Sequence, residues 1–310
     1  MNFFSKRPLS LILAGLLLLS CEQSTIVPVE QPEALPLLGI EPSIYLHVGD
    51  KETLTLAFTG REHTWSIDKP GIASVDQSGN LVGKALGDAV VTVTYKGMSD
   101  VVTSHIHVVP DDYISLRMAC IPTVWIEGGT FVKGHADYAA NPLEEVTVLS
   151  FRMAVYKMTK DIIMNGLTYQ MNNLPDDGVA VTMSFSQAQE IVQLASQKTG
   201  LNCRFPTDAE WEWAARGGKL SKGYRYAGSN SEADLDHGSF GYQIGSKTPN
   251  ELGLYDMSYG PAEWIAEDRQ AGVAEAKVFE PWARNTLALK TGTLRLVFEQ
   301  RDAPSNSTIY

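Results

Sequence analysis

The stretch Cys203-Arg-Phe-Pro-Thr-Asp-Ala-Glu-Trp-Glu-Trp-Ala-Ala-Arg-Gly-Gly218 encodes one short helix together with its start and its stop. Thr207 can cap it by accepting from first-turn amides, and Glu210, three residues on, can reach back to the Thr207 N–H to complete a capping box. Pro206 and Trp211 sit where a hydrophobic staple would place them. Gly217 and Gly218 offer the left-handed stop. A second helix is written in the same terms: Ser184 as N-cap, Gln187 at the capping-box position, Ala188, Ile191, Val192 and Ala195 on one face, and Gly200 to close it. Around these helices, Trp125-Ile-Glu-Gly-Gly-Thr-Phe-Val-Lys-Gly134 reads as strand, glycine turn and strand, and a distant run, Pro249-Asn-Glu-Leu-Gly-Leu-Tyr-Asp-Met-Ser258, follows.

The preceding segment obeys a different period. Leu54, Leu56 and Phe58 alternate with Thr53, Thr55 and Ala57, and Ala89, Val91, Val93 and Tyr95 alternate with Val90, Thr92 and Thr94. Turn chemistry separates the runs at Gly49-Asp50, Lys69-Pro70-Gly71, Gln77-Ser-Gly-Asn80 and Leu86-Gly-Asp88. Short strands at this spacing predict a small antiparallel sandwich over residues 42–110. The string from Trp65 to Lys84, continued by Gly87 to Val93, resembles the bacterial Ig-like group 2 family, whose modules serve as spacers or adhesive units on exported proteins. His105 and His107 fall on one face of a strand and read as a solvated face rather than half a metal site.

The first residues form an address. Lys6 and Arg7 precede an apolar run from Leu9 to Leu19, the length of a signal h-region and short of the roughly 20 residues a membrane span needs. The run ends in Leu18-Leu-Ser-Cys21, which resembles the bacterial lipobox. That resemblance implies cleavage after residue 20, a diacylglycerol anchor on Cys21, and a place in the bacterial cell envelope, at the outer membrane, facing the periplasm or the outside. An ordinary secretory signal with an incidental cysteine is the other reading. Residues 21–41, with Pro28, Pro32 and Pro36, read as an extended tether. The formal charge of −11, more negative still without Lys6 and Arg7, argues against a nucleic-acid partner. Cys120 and Cys203, the remaining cysteines, can pair in an oxidising compartment or stand as separate buried thiols.

The helix from Thr207, the strand opening at Trp125, Tyr156-Lys-Met-Thr159, which resembles the next strand, and the run from Pro249 to Trp264 together resemble the formylglycine-generating enzyme, or sulfatase-modifying factor, family. The resemblance implies a C-type-lectin-like α+β domain over residues 111–310. The fold class is therefore multi-domain: an all-β Ig-like sandwich followed by an α+β C-type-lectin-like domain. Family members that oxidise cysteine to formylglycine bind copper through two cysteines near the C-terminus, as suits a soft ion. This chain has no cysteine after Cys203, and its six histidines are scattered singly rather than grouped as in the iron-using relatives. Copper is not expected, and no cofactor is assigned. The family's Ser-Gly-Asn-Val-x-Glu-Trp run, which holds calcium in some members, is here Ser258-Tyr-Gly-Pro-Ala-Glu-Trp264. Glu263 is kept while Gly260 replaces the Asn oxygen, which weakens a calcium site; the other reading is that Glu263 braces its loop.

Glu210, Glu212, Asp234 and Asp236 read as helix-cap and solvated-surface acids. Beyond Asp268 the resemblance thins, although Gly292-Thr-Leu-Arg-Leu-Val-Phe298 reads as a final strand. In lectin-like folds this C-terminal region forms the exposed face, which some relatives vary to bind different partners. Trp282, Arg284 and Asn285 are of contact-making types. The expectation is a cell-envelope lipoprotein presenting a catalytically silent domain to a protein or glycan partner. The alternatives are a metal-dependent oxidase or oxygenase of the family with a non-standard site, and a purely structural adhesion unit.

Overall fold

A computed structural model of the chain describes residues 40–56, 60–99, 101–137, 139, 141–172, 174–175, 178–231, 243–266, 276–277, 284–285 and 291–299. Residues 1–39, which hold the expected signal segment, Cys21 and all but the last two residues of the expected tether, lie outside them, as do Phe58, Asp234, Asp236 and Trp282. No helix among the described residues is long and apolar enough to cross a membrane.

Strands β1 (Ser43–Leu46), β2 (Lys51–Thr53), β3 (His63–Ile67), β4 (Ala73–Val75), β5 (Asn80–Gly83), β6 (Gly87–Tyr95) and β7 (Val101–Val108) come first. Among the described residues they form two sheets, β1-β7-β6-β3 and β2-β5-β4. Ala89, Val91, Val93 and Tyr95 are all buried, as their alternation predicts, and they share a core with Ile44, Trp65, Leu81 and Ile106. Gly79 has φ of 81°, and a Cβ there would come within 3.2 Å of the Trp65 ring, so this turn needs glycine. The expected strand from Thr53 to Phe58 is shorter than its alternation suggests. Its partner β5 starts at Asn80, so the ladder stops at Thr53, and only the Leu54 N–H continues it, to the Gly79 carbonyl at 2.9 Å.

The chain then runs through β8 (Tyr113–Ser115), β9 (Cys120–Ile126), β10 (Gly129–Lys133), β11 (Glu144–Val148), β12 (Phe151–Ala154), α1 (Phe185–Thr199), β13 (Asn202–Arg204), α2 (Asp208–Ala215), β14 (Glu263–Trp264), β15 (Ala276–Lys277), β16 (Arg284–Asn285) and β17 (Val297–Glu299). A sheet of order β13-β17-β12-β9-β8 is the centre, with β10-β11 and β14-β15-β16 as smaller sheets. Successive side chains of a strand point to opposite faces, and here they feed two cores. Ala154 and Phe298 join Ile191, Ala195 and Leu294 in the α1 core. Met153 and Val297 join Trp211, Ala214 and Ile126 in the α2 core. The strand expected at Tyr156–Thr159 is not one: β12 ends at Ala154, and only Thr159 makes an isolated bridge, to Ala180.

The helix grammar holds. α1 has its full Ser184–Gln187 capping box and Gly200 at φ of 69°. α2 has its Thr207–Glu210 box, and Gly217 and Gly218 both follow with positive φ. Cys120 and Cys203 are free thiols. Their strands β9 and β13 are separated by β12 and β17, about 14 Å at the usual strand spacing, beyond disulfide reach.

A clamp joins the first sheets to the C-terminal part. Arg117, at φ of 68°, sends its guanidinium to Glu41 (Nε to Oε1, 2.9 Å) and to Glu52. The Tyr45 N–H donates to the Arg117 carbonyl at 2.8 Å, and the Ser115 hydroxyl donates to the Tyr45 carbonyl at 2.6 Å.

Candidate functional site

Every polar side chain of α2 is engaged within the protein. Glu210 not only closes the capping box but holds Arg204 through two bonds of 2.7 Å, while Arg204 Nε reaches Glu299 at 2.7 Å. Asp208, nearly fully buried, pairs with Lys133 at 2.9 Å. Glu212 corrects its reading as a solvated acid: it is fully buried. It accepts from the Gly134 N–H (2.7 Å), Asn141 Nδ2 (2.8 Å) and Arg216 Nη2 (2.6 Å). Sequence spacing hides this, because two of the three partners lie more than seventy residues upstream. Trp213 Nε1 donates to the Glu127 carbonyl at 3.0 Å.

Trp211 leads to the most charged part of the interior. Its Nε1 donates to Glu263 Oε2 at 2.8 Å. Arg295 grips both Glu263 oxygens, Nε to Oε2 at 3.0 Å and Nη2 to Oε1 at 2.9 Å. The rest of its fork caps the carbonyls of Ala154 (3.1 Å), Val155 (2.6 Å) and Tyr255 (2.7 Å). Lys157 also faces Glu263, Nζ to Oε1 at 3.7 Å, and donates to the carbonyls of Tyr259 and Pro261, the latter at 2.9 Å. All four side chains are at most 2% exposed. Burial would raise the Glu263 carboxyl, but the charges of Arg295 and Lys157, with hydrogen bonds from Arg295 and Trp211, hold it below the usual carboxylate range. Burial pulls the Lys157 ammonium down to about 8. Glu263 thus ties the start of β14 to α2 through Trp211 and to Arg295. Sequence reasoning reaches Glu263 but misses Lys157 and Arg295, since nothing in their spacing points to a shared charge cluster.

A hard cation takes roughly six to eight oxygens. At this loop both carboxylate oxygens of Glu263 already face cationic side chains, and the two carbonyls on either side of Gly260 receive the Lys157 ammonium. Beside it, Asp256 has φ of 60° and accepts from the Gly245 N–H through Oδ2 at 2.8 Å. Its Oδ1 has no hydrogen-bond partner among the described residues, and Asp256 lines a cavity of about 10 Å³ with Ser229, Lys247 and Ser258, room for one water. Burial raises this carboxyl.

A larger open groove of about 540 Å³ runs along Thr147–Phe151, with Arg204, Glu210 and Glu299 on its wall. Leu149, at its rim, is 82% exposed. Three separate chain segments build the groove, so no local motif announces it.

The other predicted site residues fall elsewhere. Arg284 and Asn285 form β16, pairing with Lys277 and Ala276. At the described residues that flank this region, the Trp264 N–H donates to the Thr293 carbonyl at 2.9 Å and the Thr293 N–H to the Ala262 carbonyl at 2.8 Å. Cys203 is buried in the α1 core, its Sγ 3.5 Å from Thr199 Oγ1, and burial raises its thiol. His105 and His107 do lie on the outer face of β7. There His107 meets an acid the local sequence does not supply, Asp88 of β6 at 2.7 Å, and stacks on Tyr45 with 4.5 Å between centroids.

Residues 116–301 match the sulfatase-modifying factor enzyme 1-like domain along a continuous stretch that is more than half of the chain. The chain belongs to that family. Among solved structures, it is similar to Treponema denticola variable protein 1, at 18% identity and a TM-score of 0.52, over 61% of this chain and 99% of that one. Among curated proteins, it is 24% identical over 245 residues to the serine/threonine-protein kinase Pkn1 of Chlamydia trachomatis, covering 70% of this chain and 39% of that protein. It is 34% identical over 86 residues to the chaperone protein LppX of Paenibacillus barcinonensis, covering 21% of this chain and 31% of that protein. The chain therefore spans well under half the length of either curated relative. The family and the shared fold account for the α2 signature: its polar groups knit the lectin-like scaffold together.

Proposed function

We propose that this protein is a lipid-anchored component of the bacterial cell envelope whose sulfatase-modifying-factor-like domain is catalytically silent and binds a protein or glycan partner. Cys21 carries the anchor, residues 21–41 are the tether, and residues 42–110 are an Ig-like spacer of the bacterial group 2 type. The domain over residues 111–310 presents Trp282, Arg284 and Asn285 to the partner. It needs no copper.

The observation that carries the reading is in the sequence: no cysteine follows Cys203, so the paired soft donors that copper chemistry requires have no counterpart. Two further points support it. The polar groups of α2 are used in holding the scaffold together, and Trp264 and Thr293, which flank the region of the three contact residues, are hydrogen-bonded to each other.

The test uses the full chain on glycan arrays and against envelope proteins, in parallel with Trp282→Ala and Arg284→Ala. A specific ligand whose binding falls at least tenfold in either variant, with unchanged melting temperature, supports recognition through this face. Conversion of a cysteine peptide to formylglycine by copper-supplied protein would overturn the silent reading and favour the oxidase.

A further inference from the structure

The loop Tyr259–Glu263 gathers hard donors. Gly260, at φ of 74°, turns the backbone so that the carbonyls of Tyr259 and Pro261 converge on one point, and Glu263 Oε1 faces the same point. Glycine adopts this left-handed conformation without steric cost, which accounts physically for the residue found there. Two carbonyls and a carboxylate directed at one buried position form the beginning of a hard-cation shell. The position is taken by Lys157 Nζ, carried in from the segment just after β12.

We infer that Lys157 is the resident cation of this loop, its ammonium standing where the loop's three oxygens would otherwise engage a divalent metal ion, so that the domain closes without calcium. An ammonium suits this position because it is a compact positive charge with three donors and no acceptor. Two of those donors satisfy the carbonyls, and its charge faces Glu263. Arg295 supplies a second fixed charge on the same carboxylate, 2.9 Å from the oxygen that Lys157 faces, so a divalent ion added to the pair would meet two cations at close range. The calcium that the family resemblance implies thus does not fit the residues present. The reason is a side chain rather than a missing oxygen alone. The inference carries a converse: shortening Lys157 uncovers the two carbonyls and frees one face of Glu263, leaving a latent site for a hard divalent cation.

The test is a calcium titration of the full chain by calorimetry, with thermal melts in chelator and in excess calcium. Three proteins are compared: wild type, Lys157→Ala and Lys157→Met. Wild type is expected to melt at the same temperature in chelator and in calcium. Lys157→Ala should melt lower in chelator, recover in calcium, and bind calcium at least tenfold more tightly than wild type. Lys157→Met fills the position without charge and should show no calcium response. Stoichiometric calcium binding by wild type, with melting lowered by chelator, overturns the inference. So does a folded Lys157→Ala that gains no calcium affinity. Should Lys157→Ala fail to fold in chelator, folding restored by calcium supports the inference, and failure to fold in both conditions overturns the latent site.

Discussion

Replacing Arg295 with methionine should be among the most destabilising single changes available to this protein. Methionine keeps the reach and apolar stem but deletes the fork. Both oxygens of fully buried Glu263 then lose Arg295, and the carbonyls of Ala154, Val155 and Tyr255 lose its donors, although Val155 keeps the Tyr255 N–H at 3.2 Å. Breaking a buried ion pair from one side costs about 3–5 kcal/mol, and each buried carbonyl left without a partner adds about 1 kcal/mol at the low end. Glu263 retains Lys157 at 3.7 Å and Trp211 at 2.8 Å, which offsets part of the loss. The expected net cost is about 4 kcal/mol. Urea unfolding followed by tryptophan fluorescence reads it directly, because Trp211 and Trp264 are both buried beside this cluster. Glu263→Gln and the double variant complete a cycle, with a coupling of about 2–3 kcal/mol expected for groups in direct contact. If Arg295→Met unfolds within about 1 kcal/mol of the parent, the cluster does not hold the sheet and the loop together as described.

Thr207→Ala removes the α2 cap and should cost about 1 kcal/mol in the same urea experiment, with Thr207→Ser nearly neutral. Glu263 and Glu41 are both held below the ordinary carboxyl value of 4.5 in the folded chain, Glu41 first through its hydrogen bond from Arg117. Their stabilising contribution is present above that value and lost as pH falls through the lowered ones. Melting temperature should therefore drop on acidification below pH 4.5, less steeply in Glu263→Gln. Burial pushes the Cys120 thiol up to about 11 and raises Cys203 as well. At neutral pH both should resist alkylation until the protein is unfolded, as mass spectrometry of labelled peptides would show. Arg117→Ala should loosen the junction with Glu41 and Glu52, seen as independent tumbling of the two parts in NMR relaxation, at little cost to either core.

Local rules make the helices legible. Ser184, Gln187, Thr207, Glu210 and the closing glycines act within a few residues of one another, so their roles can be read directly from spacing. The alternation from Ala89 to Tyr95 is legible for the same reason. The strand expected after Thr53 stops early because its extent depends on where a distant partner begins, at Asn80. Glu212 escapes such reading because an acid's burial depends on who meets it, and Gly134 and Asn141 meet it only after folding. The Lys157–Glu263–Arg295 cluster joins three segments separated by more than thirty residues at the nearest pair, and no periodicity marks such a meeting. The pairing of Arg284 and Asn285 with β15 is not legible in the sequence, and the chemistry assigned to them rests on the function proposed above.

The position of β17 between β13 and β12 has a consequence for how the molecule is made. Strands β12 and β13 are both synthesised before it, yet among the described residues neither pairs with the other; each pairs with β17. Until Val297 emerges, both cores lack a wall, and β12 and β13 each present an open edge able to capture a foreign strand. The nascent domain must therefore wait for β17, exposed to mispairing throughout. Insertion of that strand closes both edges and brings Arg295 into reach of Glu263 in one event.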